Sequence, residues 1–235
     1  MKRRATTHLT AKLERNLLAY ATAAGAAGIS VLAFTQPAQG KVVYTPVHVL
    51  LGHGGISSFD IDLNHDGVAD FRLLAFYNGC TTECTAGMFA QVMNGGEGVE
   101  DNQSTSHYPV SALALRPMAK IGPHAQFSPG KGLGILMVDI LSFPSNGSRQ
   151  VFGKWNNVKN RYLGLKFSIN GEVHFGWARL HVRDHQHYIK AILTGYAYET
   201  KASKPIVAGD TGASLGSLAL GAADAKSQPP VTKAH

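Results

Sequence analysis

"RYLGLKFSINGEVHFGWARLHV", Arg161 to Val182, is the stretch that decides the fold. Asn170 and Gly171 stand between two segments in which apolar and polar residues alternate. Asn-Gly is the strongest short hairpin signal, because a tight turn matching the twist of its strands needs positive φ at both central residues. On the second arm Phe175 and Trp177 share one face, and Gly176 between them permits close backbone approach on the other. The segment therefore reads as two paired antiparallel strands built to contribute to a core.

The same grammar extends in both directions. "KVVYTPVHVLL", "SSFDIDL", "ADFRLLAFY", "GMFAQVM" and "LGILMVDILSF" precede the hairpin and "YIKAILTGYAYE" follows it, each bounded by turn residues. No long stretch carries a helical period. Many strands joined by hairpins, without intervening helices, predict an all-β fold: an antiparallel β-sandwich or jelly roll, a single domain over residues 41–209. "KASKPIVAGD" holds one last short strand. "NGGEGVEDNQSTSHYP", Asn94 to Pro109, reads as a polar, Gly-rich connection, either mobile or a binding loop. Residues 210–235 read as a flexible C-terminal tail, whose apolar part, Leu215 to Ala223, is too short to span a bilayer.

The first 40 residues read as a signal peptide. Lys2, Arg3, Arg4, Lys12 and Arg15 make a basic start, an uncharged run follows, and Ala38 and Gly40 have the small-x-small spacing of a cleavage site before Lys41. The alternative is an uncleaved membrane helix, since about 18 apolar or small residues nearly span a bilayer. Cleavage lowers the charge: 22 basic residues less five leaves 17, 15 acidic residues less Glu14 leaves 14, and the net +7 falls to +3. No cluster of Lys and Arg interleaved with aromatics remains, which argues against nucleic acid as a partner. The expected location is secreted, periplasmic or cell-surface, with no stable membrane span after cleavage. In such an oxidising compartment Cys80 and Cys84 are read as a local disulfide, with free thiols as the alternative.

One loop carries chemistry. In "FDIDLNHDGVADFRL", Asp62, Asn64 and Asp66 occupy positions 1, 3 and 5, Gly67 position 6 and Asp70 position 9, and the carbonyl of Val68 is placed for position 7. Calcium takes six to eight oxygens, and alternate residues of a curled loop aim theirs inward. An EF-hand also needs Glu at position 12, where this chain has Leu73. The competing reading is a hairpin with Asn-His-Asp-Gly as its turn, but such a turn has no need of three mutually repelling carboxylates. The D-x-[DN]-x-D-G-x-x-D spacing resembles the calcium loops of integrin-type FG-GAP and thrombospondin type 3 repeats, in which the last Asp, here Asp70, closes the site.

Other constellations are weaker. His181, Asp184, His185 and His187 in "HVRDHQHY" form a second metal candidate for zinc or copper, with His185 in a hairpin turn and the other two histidines on its flanks. Loose spacing favours a solvated loop instead. "GASLG", Gly212 to Gly216, matches a nucleophile elbow in letters only, since just Asp224 and His235 follow as acid and base. Asp139, Glu172 and Glu199 are the acids available for glycoside hydrolysis, unpaired in sequence, and Trp155 and Trp177 can stack on sugars or fill a core.

A wider resemblance rests on Tyr162, Gly164, Phe167, Phe175, Gly176, Trp177, Gly195, Tyr196, Ala197, Tyr198, Glu199 and the "PIVAG" exit. The segment is similar to a domain of secreted bacterial proteins of the PEP-CTERM-associated kind, frequent in acidobacteria-like genomes. That resemblance implies export and a β-sandwich with surface or matrix association, and it implies no reaction. The tail departs from the sorting pattern, having no Pro-Glu-Pro, no long hydrophobic helix and no terminal arginine cluster. The expectation is an exported, non-catalytic β-sandwich with a structural calcium loop, binding a surface glycan or protein. The alternative is a secreted carbohydrate-binding module or glycan-active enzyme on a jelly roll; a jelly-roll metal oxidase would need the histidines to converge.

Overall fold

The computed structural model describes residues 40–52, 57–79, 82–101, 110–130, 133–185 and 187–213. The segment before Gly40 that the sequence reads as a signal peptide, Cys80, residues 102–109 of the Asn94–Pro109 connection and residues 214–235 lie outside the described residues. The compact unit begins at Gly40. Its elements are β1 (Val42–Leu51), β2 (Ser57–Ile61), β3 (Phe71–Asn78), β4 (Cys84–Val92), β5 (Gly96–Glu100), β6 (Lys120–Ile121), β7 (Phe127–Ser128), β8 (Ile135–Phe143), β9 (Ser148–Gly153), β10 (Val158–Ile169), β11 (Glu172–His185), β12 (Tyr188–Glu199) and β13 (Ile206–Val207). No helix among the described residues is long and apolar enough to cross a membrane.

The opening hairpin forms as its sequence dictates. Ile169 pairs with Glu172 across Asn170 and Gly171, whose φ angles of 53° and 83° are the two positive values a primed turn requires. From this ribbon a six-stranded sheet grows in the order β1-β12-β11-β10-β5-β7, and a second sheet of five strands runs β2-β3-β4-β8-β9. Every strand ladder is antiparallel. The fold is all-β, with sheets packed on one another as a β-sandwich. Pro46, which has no N–H to donate, sits in edge strand β1 beside a register shift, where a ladder tolerates it.

The inner faces of the two sheets meet in the main core. Leu73, Met88 and Val138 come from one sheet, and Leu163, Phe167, Leu180 and Leu193 from the other, all fully buried. Each such side chain contributes about 1.5–3 kcal/mol on leaving water. Phe175 and Trp177 point the other way. With Tyr162, Ile121 and Ile206 they form a second cluster, where the short β6–β13 pair covers part of the outer face of the six-stranded sheet. Gly176, between them, faces the main core, where the side chain of Leu63 and the carbonyl of Ala197 leave no room for a larger residue.

The structure corrects two local expectations. The Gly-rich "GEGVE" is strand β5, paired with β10 and β7, and not part of a polar loop. Its glycines mark close packing: a β-carbon on Gly98 would lie 2.8 Å from Cβ of Phe127, and one on Gly96 would strike the carbonyl of Asp70. Exposed strand β9 was absent from the sequence reading, because a strand at the edge of a sheet with solvent on both sides carries no apolar alternation.

Candidate metal centre

The loop of residues 62–70 joins β2 to β3, and the Ile61–Phe71 pair closes its base. Outside it, Arg72 grips Asp60 with two parallel bonds of 2.5 and 2.8 Å, holding the register. Within it, curvature comes from positive φ at His65 (60°) and Gly67 (88°). The acidic side chains turn onto the loop's own backbone. Gly67 and Asp66 donate their N–H groups to Asp62 at 2.9 and 3.3 Å, and Val68 donates to Oδ1 of Asp66 at 2.8 Å. Asn64 donates from Nδ2 to Oδ2 of Asp66 at 2.9 Å. These bonds, Asn64 first, hold the Asp66 carboxyl below its ordinary value.

Asp70 differs from its neighbours. It is buried, it accepts the N–H of Leu63 at 2.7 Å, and its own carbonyl accepts the N–H of Met93 at 2.8 Å. Gly95 lies against its carboxylate so closely that a β-carbon there would collide with Oδ1. Burial pushes its carboxyl up to about 6; the Leu63 amide opposes this, and the charges of Asp62 and Asp66 add to it. The three aspartates thus act on one another through space. They are not gathered into one ligand set: among the described residues no group of three or more His, Cys, Asp or Glu side chains is placed to hold a metal.

The loop also bridges the two sheets. His65 at its tip bonds Thr45 of β1 at 2.8 Å and lies beside Tyr196 of β12, ring centroids 6.1 Å apart. Burial raises the Tyr196 hydroxyl, and Asp62 raises it further. Leu63 is buried against Gly176 of β11. Nothing in the sequence ties Thr45, Gly95 and Tyr196, which complete this seam, to the loop, because they come from three distant segments.

The second metal candidate is taken apart. β11 runs through His185, which pairs with Tyr188 and so lies at a strand end, not in the turn. His181 and His185 line one cavity and Asp184 and His187 another, while Asp184 and His185 share a third that His181 and His187 do not line. Strand alternation sends Asp184 to the opposite face, where it pairs with Arg149. Burial, with Lys159, Arg179 and Arg183 nearby, lowers the His181 imidazole below its ordinary value.

Of the sugar-binding candidates, both tryptophans are wholly buried, and Trp155 donates from Nε1 to the carbonyl of Ala112 at 3.2 Å. Phe76 and Phe89 stack on each other at 5.8 Å over Gly87, half-buried on the five-stranded sheet. Asp139 is raised by burial and further by Glu83. Glu199 is buried and structural, accepting from Lys201 N at 3.0 Å and Lys204 Nζ at 2.7 Å, while Glu172 closes the opening hairpin. Val68 is exposed, and Cys84, buried at the start of β4, is disulfide-bonded. Comparison of the chain with protein-family models, curated proteins and solved structures finds no match.

Proposed function

We propose that the protein is an exported, non-catalytic β-sandwich whose 62–70 loop binds calcium as a structural staple, and that it works as a surface or matrix binding component. The observation that carries the calcium reading is the mutual repulsion of Asp62, Asp66 and buried Asp70 on a loop curled by Gly67. A divalent cation would remove that repulsion by drawing the carboxylates from the loop amides they now accept from, and its hard, oxygen-only preference suits them, Asn64 and the carbonyl of Val68. The cation would act where the loop spans the seam between the sheets, so binding stabilises the sandwich as a whole.

Thermal melts of the protein with calcium and with chelator test the reading. Calcium at about 100 times its dissociation constant adds about 2.7 kcal/mol and raises the melting temperature. Asp66→Ala abolishes that rise. Identical melts of parent and variant in both buffers would remove the site. The ligand is sought separately, by a glycan-array and pull-down screen with the protein.

A further inference from the structure

The outer face of the six-stranded sheet is covered over one half by the β6–β13 layer. On the other half a shallow cavity of about 500 Å³ lies over β10, β11, β12 and β1. Its chemistry is one-sided. His48, Lys159, His181, Arg183, His185 and Lys190 line it, and no carboxylate does. Arg183 and Lys190 are direct cross-strand partners, an arrangement of like charges that costs a sheet stability. Four ion pairs form among the described residues, and none engages Lys159, Arg183 or Lys190. Asp184, next in sequence to Arg183, pairs with Arg149, and it lines an adjoining cavity with Lys159, Arg183 and His185.

A fold that gathers cations over one sheet face, and engages the nearest acid, Asp184, with Arg149, leaves that charge to be answered from outside. We infer that this face binds an acidic polysaccharide, a linear chain whose anionic groups lie across the four strands. At about 4.8 Å per strand the face is about 14 Å across, wide enough for several consecutive charged units. Lys159, Arg183 and Lys190 present charged heads from three strands as separate points, which suits anions spaced along a chain better than one compact ligand. The lining has no Phe, Tyr or Trp, so it offers no stacking platform for the bases of a single-stranded nucleic acid. Recognition here is by charge, which leaves the burial of both tryptophans without consequence for it.

The inference rests on the binding-component reading and names its ligand class. The test is affinity electrophoresis and calorimetric titration of the full chain with polygalacturonate, neutral dextran and a single-stranded oligonucleotide, at low and high salt. Polygalacturonate is expected to bind, more weakly as salt rises, and dextran not at all. Lys159→Ala with Lys190→Ala is expected to weaken binding at least about tenfold, at a melting temperature no lower than the parent's, since the Arg183–Lys190 repulsion is relieved. A control pair on exposed lysines elsewhere, Lys41→Ala with Lys120→Ala, is expected to bind as the parent does. No binding of polygalacturonate, equal loss in both pairs, or tighter binding of the oligonucleotide overturns the assignment. Bound polymer that is shortened, read as new reducing ends, leaves this face standing and overturns only the non-catalytic reading. An array hit of other chemistry with no polygalacturonate binding does the reverse.

Discussion

Leu63 donates its backbone N–H to Oδ2 of Asp70 at 2.7 Å, and the two residues, at opposite ends of the β2–β3 loop, are both buried. The bond ties the loop shut from inside. It also fixes a carboxylate in a place where its charge is poorly solvated, which is what couples the loop to pH.

Replacing Gly95 by alanine should open that closure. The added methyl meets the Asp70 carboxylate directly, and overpacking of this kind costs about 1–3 kcal/mol. Urea denaturation in chelator is expected to show the loss. Calcium titration is expected to show a weakened response, because Asp70 must shift to make room. A variant as stable as the parent and equally responsive would mean that the turn yields and Asp70 does not move.

The pH dependence has a definite sign. Asp70 is raised from 3.8 to about 6, and Glu100, buried beside Asp101, from 4.5 to about 7. In both, burial makes the native state hold its proton more tightly than the unfolded chain does. Their stabilising contribution is therefore complete below the unfolded values and lost as pH rises through the folded ones. In chelator, the urea midpoint is expected to fall between about pH 4 and pH 7. Asp70→Asn should remove part of that fall, and calcium should oppose it, since a cation favours the carboxylate. A midpoint that climbs steadily over this range without calcium would contradict the account.

The two tryptophans offer a paired comparison. Nε1 of Trp155 donates to the Ala112 carbonyl, while Nε1 of Trp177 is buried without a hydrogen-bond partner among the described residues. Trp→Phe removes similar volume at each site. At position 155 it also strands an acceptor, whereas at 177 it removes an unsatisfied donor. Trp155→Phe is therefore expected to cost about 1–2 kcal/mol more than Trp177→Phe. Equal losses by chemical denaturation would show that packing alone governs both.

The long strands were legible because alternation and turn chemistry are local. Asn170-Gly171 specifies its own turn, and Leu180 and Val182 alternate with Arg179 and His181 whatever the rest of the chain does. β5 was not legible. Gly96 and Gly98 read as loop residues in isolation, and only the neighbours occupying their β-carbon space, Asp70 and Phe127, explain them as strand. The loop of residues 62–70 was legible as a motif, since its spacing is written in nine consecutive positions. Its coupling to the rest was hidden, because Thr45, Gly95 and Tyr196 meet it only after both sheets have formed.

The sequence by itself determined that this chain forms antiparallel strands, where its best turn lies, and which loop concentrates carboxylates, because each depends on residues within one or two turns of backbone. Tertiary structure alone decided which faces became core, that Asp70 is buried while Asp66 stays in water, and that His181 and Asp184 part company across one strand. It alone drew Lys159, Arg183, Lys190 and His48 from four strands onto one uncovered face. Burial and field are sums over neighbours remote in the chain, and those sums exist only once the sheets have packed.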